Sequence, residues 1–349
     1  MPSITGFAAR LLKKIASPLG ITLLRRSTTE QIAREYPWLG PRLGIDGGES
    51  VRHRAGAVST DAPDNSDPRL VDLRRRYRAH QATAHTVWTH KNLLTELSLE
   101  RFREDNAYVW QTRVNNPIQY LLASYYAKQH DPLGLFPRLT EDGAFGAFIY
   151  EHDGKPVSRD MLDSIMEISF LEEQIGLSKI PDLTVLDIGA GYGRLAHRMA
   201  EALPNLKQYL CTDAVAESTF VSEFYTKYRK VEDRVTVVPL DEIERVLGRT
   251  RVDVALNIHS FSECSLRSIE YWLDLVARAK VPWLLVIPNT GDQLISWEAD
   301  QSRQDFRSAI DTRGYALAVQ QEKYARSADT QRFGLFPSTY FLFLRKDSV

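Results

Sequence analysis

Val185-Leu186-Asp187-Ile188-Gly189-Ala190-Gly191-Tyr192-Gly193-Arg194-Leu195 decides how the chain is read. It begins as the apolar run a buried parallel strand requires, breaks at three alternating glycines, and resumes as a helical pattern at Leu195, Met199 and Leu203. The reading is a strand, a tight turn and a helix start. Such a turn lets a ligand approach the backbone, because a Cβ at Gly189 or Gly191 would occupy the space, and it presents free N–H groups at the positive end of the next helix. Something polar or anionic is expected there. The dinucleotide fingerprint has its third glycine three residues after the second, so that the helix can pack close on the strand. Here that position is Arg194, which disfavours nicotinamide and flavin cofactors.

Working outward, Leu206 to Asp213 reads as a second strand ending in a carboxylate, the place of a ribose-binding acid in doubly wound nucleotide sites. Val235 to Leu240 is a third apolar run, closed by Asp241; Val252 to Ile258 is a fourth, with Asn257 and His259 at its end; Val281 to Ile287 is a fifth. Helical patterns separate them, such as Leu266 to Ala279 with Ile269, Trp272, Leu273 and Val276 on one face. Tyr315 to Lys323 and Thr339 to Leu344 form a terminal antiparallel pair. The fold class is therefore α/β, and every polar residue just named lies at the carboxyl end of a strand, where open sheets of this kind bind ligands.

With 349 residues, 43% of them hydrophobic, the chain builds one large core and has about 150 residues to spare. A net charge of -1 lacks the basic excess that a phosphate backbone calls for, so nucleic acid is not expected as a partner. Cys211 and Cys264 stand far apart and read as small core residues of a cytoplasmic protein. Residues 1–39 form a basic amphipathic segment, in which Ile4, Phe7, Leu11, Leu12 and Ile15 recur at helical spacing among basic residues. Residues 1–26 suit a peripheral membrane contact, or packing on the protein or a second subunit, but are too short and too charged to span a bilayer. Residues 40–67, rich in Gly, Asp, Pro and Ser, read as a linker.

A mainly helical region covers 68–180, and 181–349 hold the sheet. His80, His85 and His90 stand five apart, on different sides of a helix, and read as solvated or capping residues, not ligands. The run 101–113 reads as helical core and surface packing or, alternatively, as a cofactor cover in which Tyr108, Gln111 and Arg113 take part, the arginine pairing with a carboxylate. The turn-rich stretch Leu139 to Gly146 reads as a lid, a substrate wall or a connecting hairpin, and Ser158 with Asp160 caps the helix that follows.

The acidic strand end followed by Gly-x-Gly-x-Gly resembles motif I of the class I S-adenosylmethionine-dependent methyltransferases. Together with Tyr108-Val-Trp-Gln111, Glu141-Asp-Gly-Ala-Phe-Gly146, Val157-Ser-Arg-Asp160 and Asn257-Ile-His-Ser-Phe-Ser-Glu263, it resembles the bacterial sugar O-methyltransferase family over roughly residues 95–345. The resemblance implies a Rossmann-like seven-stranded methyltransferase sheet, mostly parallel with an antiparallel last strand. It also implies S-adenosylmethionine as cofactor and a carbohydrate or glycoconjugate hydroxyl as methyl acceptor. The competing readings are a methyltransferase acting on another small molecule and a non-catalytic methyltransferase-like binding module.

Position then assigns roles. Asp187 orders the glycine turn or meets the methionine amine, while Gly189, Ala190, Gly191 and Gly193 line the methionine and ribose. Asp213, acceptor-only when ionised, takes both ribose hydroxyls. Asp241 accepts the adenine amino group or caps a helix, and Asn257 joins the cofactor-binding set. A sugar hydroxyl needs a proton acceptor or a metal near the methyl. His259 is the expected base, and Glu263, four residues on, orients it or contacts the sugar; no metal ligand is assigned.

Overall fold

The computed structural model describes residues 66–83, 100–104 and 117–347. Before the sheet come helices α1 (Pro68–Tyr77), α2 (Pro117–Gln129) and α3 (Arg159–Ile175), with the hairpin β1 (Tyr150–His152) and β2 (Lys155–Val157) between the last two. Local chemistry sets their ends. Asp67 accepts from the Arg69 N–H at 2.8 Å and Pro68 opens α1; Ser158 accepts from the Met161 N–H at 3.1 Å to start α3, as the sequence leads one to expect. Gly176, with φ 61°, ends α3 in the left-handed conformation that a Cβ would disfavour.

The sheet comprises β3 (Leu183–Ile188), β4 (Leu206–Thr212), β5 (Val235–Val237), β6 (Val254–Ile258), β7 (Trp283–Ile287), β8 (Tyr315–Glu322) and β9 (Thr339–Arg345). Its helices include α4 (Arg194–Ala202), α5 (Ala216–Tyr228) and α6 (Leu266–Arg278). The strand order is β5-β4-β3-β6-β7-β9-β8, with β9 alone running antiparallel to its neighbours. This is the Rossmann-like, seven-stranded sheet, mostly parallel with an antiparallel last strand, that the resemblance implies. The strands alternate between two cores. Leu183 and Val185 pack with α3 and α4, whereas Leu186 and Ile188 pack with α5 and α6. Chain order reverses between β3 and β6, which opens a crevice at their carboxyl ends.

Strand ends match the sequence expectation closely, except that β5 stops at Val237 where the apolar run continues to Leu240. Pro239 supplies no N–H to a ladder, and Leu240 already opens a helical turn. Among the described residues, no helix is long and apolar enough to cross a membrane. The N-terminal segment up to residue 65, with its expected membrane or subunit contact, lies outside the described residues, as do His85, His90, Tyr108, Gln111 and Arg113. His80 accepts from the Ala82 N–H through Nδ1 at 3.2 Å, the capping role expected of it.

Candidate active site

A cavity of about 150 Å³ lies at the reversal point, walled by the turns after β3, β4 and β6 and by the first turns of α3 and α4. It is polar-walled and large enough to hold several waters. The glycine turn forms its floor. At Gly189 (φ 76°) a Cβ would sit 2.3 Å from the Ser260 Oγ, so that turn and the one after β6 meet only because the side chain is absent. At Gly191 (φ 57°) a Cβ would meet nothing within 4 Å, so the backbone there stands bare.

Three titratable groups in the wall are held away from their charged forms. Burial lifts Asp213 to a pKa of about 6, opposed by hydrogen bonds from the Val215 N–H (2.9 Å) to Oδ1 and the Gly191 N–H (3.0 Å) to Oδ2. The Ser218 side chain and the Ala214 backbone oppose the shift as well. Burial also lifts Asp187 to about 7, although the Tyr209 hydroxyl donates to its Oδ2 at 2.8 Å. His259 is pushed down to about 3, first by burial and then by the positive charge of Arg159, with Arg194 and Lys323 adding and Asp163 opposing. Its backbone is unusual for a residue with a side chain, φ 68° and ψ -32°, and its N–H is tied to the Ile287 carbonyl at 2.7 Å. A strained residue in a cavity wall is a functional candidate.

Part of this wall, with Glu167 and Lys323 behind it, is a buried ion-pair assembly. Arg159 donates through Nε to Asp163 Oδ2 at 3.0 Å, and Lys323 Nζ donates to Asp163 Oδ1. Arg194 spans both oxygens of Glu167 at 2.8 and 2.9 Å, which explains why a long side chain stands where the dinucleotide fingerprint has glycine. These cations hold Asp163 well below the usual carboxylate range.

Of the residues expected at the site, the structure brings Asp187, Gly189, Ala190, Gly191, Asp213, His259 and Glu263 together in the cavity wall. A 3₁₀ turn over Ser260–Glu263 follows His259; in place of the α-helical start that would put the two on one face, both line the cavity, and Glu263 Oε1 accepts from Asn289 Nδ2 at 2.8 Å. Gly193 caps α4 outside the wall. Asn257 sits behind it, fully buried, donating to the Ile188 carbonyl (2.8 Å) and accepting from the Phe261 N–H (2.9 Å), so it holds two turns together without reaching the cavity. Asp241 is also outside. Its two oxygens lie on Arg76 of α1 at 2.7 and 2.8 Å, and the adjacent Leu240 N–H donates to the Tyr77 hydroxyl at 2.8 Å. The loop at Glu141 is not poised as a lid. Its carboxylate is buried between Arg103 (2.8 Å), Arg198 (3.1 Å) and the Ser158 hydroxyl (2.5 Å).

Sequence reasoning passed over Arg159, Asp163 and Tyr192, all in the wall. Arg159 carried a signal, because a cation in the first turn of a helix opposes the helix dipole and calls for a reason. Tyr192 donates to Asp160, which also accepts from Arg103 Nε at 3.2 Å. Among the described residues, no group of three or more His, Cys, Asp or Glu side chains is arranged to hold a metal ion.

No protein-family model and no curated protein match the sequence. Among solved structures, the chain is similar to magnesium protoporphyrin IX methyltransferase from Synechocystis PCC 6803, at 13% identity over 64% of this chain and 97% of that one, TM-score 0.38. It is similar to an S-adenosylmethionine-dependent methyltransferase from Clostridium acetobutylicum, at 11% identity over 52% and 90%, TM-score 0.37. A third is the mitomycin 7-O-methyltransferase MmcR, at 19% identity over 53% and 56%, TM-score 0.35. At these identities none of them says what this chain acts on.

Proposed function

We propose that this protein is an S-adenosylmethionine-dependent O-methyltransferase acting on a sugar hydroxyl of a polysaccharide, glycolipid or glycosylated natural product. The observation that carries the reading is one cavity joining a bare glycine turn, an anchored strand-end carboxylate and a strained histidine. The residues fit the cofactor. Asp213 offers acceptor lone pairs to ribose hydroxyls, Ala214 and Val215 give an apolar surface for the base, and Asp187 faces a cationic amine. Arg159, in the same wall, supplies a cation for the methionine carboxylate, the task for which Arg113 is the candidate on sequence grounds. The sugar acceptor rests on the segments that resemble the sugar O-methyltransferase family, Glu141 to Gly146 and Asn257 to Glu263 among them.

When bound, S-adenosylmethionine supplies an activated methyl group, so the protein has to align an acceptor oxygen and receive its proton. His259 receives it. A base of such low pKa cannot strip a free hydroxyl, but it stays neutral at every working pH and suits an oxygen that becomes strongly acidic as it gains a third bond. Glu263, fixed by Asn289, holds a neighbouring hydroxyl of the acceptor.

Calorimetric titration with S-adenosylhomocysteine tests the cofactor, and absence of binding would refute the proposal. Incubating the protein and S-adenosylmethionine with cellular glycans, and looking for a one-methylene mass gain, tests the acceptor. His259→Asn keeps a side chain that tolerates positive φ but has no basic nitrogen. We expect it to bind S-adenosylhomocysteine as the wild type does and to lose about 10²–10⁴-fold in turnover. Unchanged turnover would remove the base assignment.

A further inference from the structure

We propose that Lys323, outside the cavity, is a positioning residue that aims the Arg159 guanidinium at the carboxylate end of the cofactor, with Phe336 as the surface that fixes its plane. The inference rests on the cofactor reading above.

Two independent routes lead from Lys323 to Arg159. Through side chains, Lys323 Nζ donates to Asp163 Oδ1, and Asp163 Oδ2 takes the Arg159 Nε at 3.0 Å. Through the backbone, Nζ donates to the carbonyls of Leu335 (3.0 Å) and Phe336 (3.4 Å), and so holds the loop that carries the Phe336 ring 3.7 Å beneath the Arg159 guanidinium carbon. Two further bonds secure that loop, from the Tyr324 hydroxyl to the Leu335 carbonyl at 2.7 Å and from the Lys323 N–H to the Ser338 carbonyl at 2.9 Å.

Stability alone does not account for this arrangement. Phe336 has φ 41°, a left-handed backbone that a bulky aromatic residue rarely adopts and that the surrounding bonds must impose. Lys323 and Asp163 are both buried, and a buried ion pair is seldom more stable than apolar residues of similar volume. Both oddities converge on one arginine in the cavity wall. A guanidinium recognises a carboxylate with a planar fork, so its plane has to be set, and one edge bond plus one face contact set it.

The test compares S-adenosylhomocysteine with its decarboxylated analogue, which keeps the nucleoside, sulfur and amine. We expect Lys323→Met to weaken S-adenosylhomocysteine about tenfold or more while leaving the analogue's affinity unchanged, and Lys323→Arg to recover part of the loss. Phe336→Leu, which leaves every buried charge in place, is expected to show the same selective loss, and it carries the test alone if Lys323→Met fails to fold. Equal loss for both ligands, or no loss for either, overturns the inference. Failure of the cofactor reading looks different, since the wild type would then bind neither ligand.

Discussion

Two buried charge assemblies in the molecule behave oppositely. Around Glu141, two arginines and a hydroxyl converge on one carboxylate and hold its pKa well below the usual range. In the cavity, Asp187 and Asp213 are lifted to about 7 and about 6, and His259 is depressed to about 3. Burial acts most strongly on all four groups; what differs is whether countercharges overcome it. The first assembly is complete within the protein. The second leaves three groups whose burial no countercharge overcomes, the state expected of a site built around a ligand's charges and hydroxyls.

Removing one charge from the complete assembly therefore has the largest expected consequence. Glu141→Gln would place an amide N–H₂ among donors and leave Arg103 and Arg198 buried with less countercharge. Breaking a buried pair in this way costs about 3–5 kcal/mol. Urea unfolding would measure it, with S-adenosylhomocysteine affinity unchanged at temperatures where the variant stays folded. A loss under about 1 kcal/mol would mean that the loop is not the fastener described here and would reopen its reading as a lid.

The same contrast explains what the sequence made legible. Strand order, the glycine turn and Asp213 could be read because they follow from local pattern: apolar runs of strand length, a carboxylate at the end, Gly-x-Gly-x-Gly between strand and helix. The Glu141 segment was equally visible, but its role was not, since its partners Arg103 and Arg198 lie 38 and 57 residues away. Asp241 shows the converse. Its place after an apolar run suited an adenine contact, and nothing local announced that Arg76, 165 residues earlier, would occupy both its oxygens. Arg159 and Lys323 were hidden for the same reason: a helix-start arginine and a strand-end lysine acquire meaning only when β8 is placed beside α3.

A smaller effect tests the incomplete assembly. Burial lifts Asp187 to about 7 in the fold from the ordinary aspartate value of 3.8, so between these values the folded protein holds a proton that the unfolded chain has released. Stability must then fall as pH rises from about 4 to about 7 and level off above, with Asp213 contributing in the same direction up to about 6. Asp187→Asn keeps an acceptor for the Tyr209 hydroxyl but has no charge to bury. We expect it to gain on the order of 2 kcal/mol at pH 8, little at pH 4, and to unfold with a flatter pH profile. It should also bind S-adenosylhomocysteine less tightly at pH 8, where the wild-type carboxylate is ionised to meet the ligand's amine. A variant less stable than wild type at pH 8 would show that Asp187 is already neutralised within the protein, and the contrast between the two assemblies would disappear.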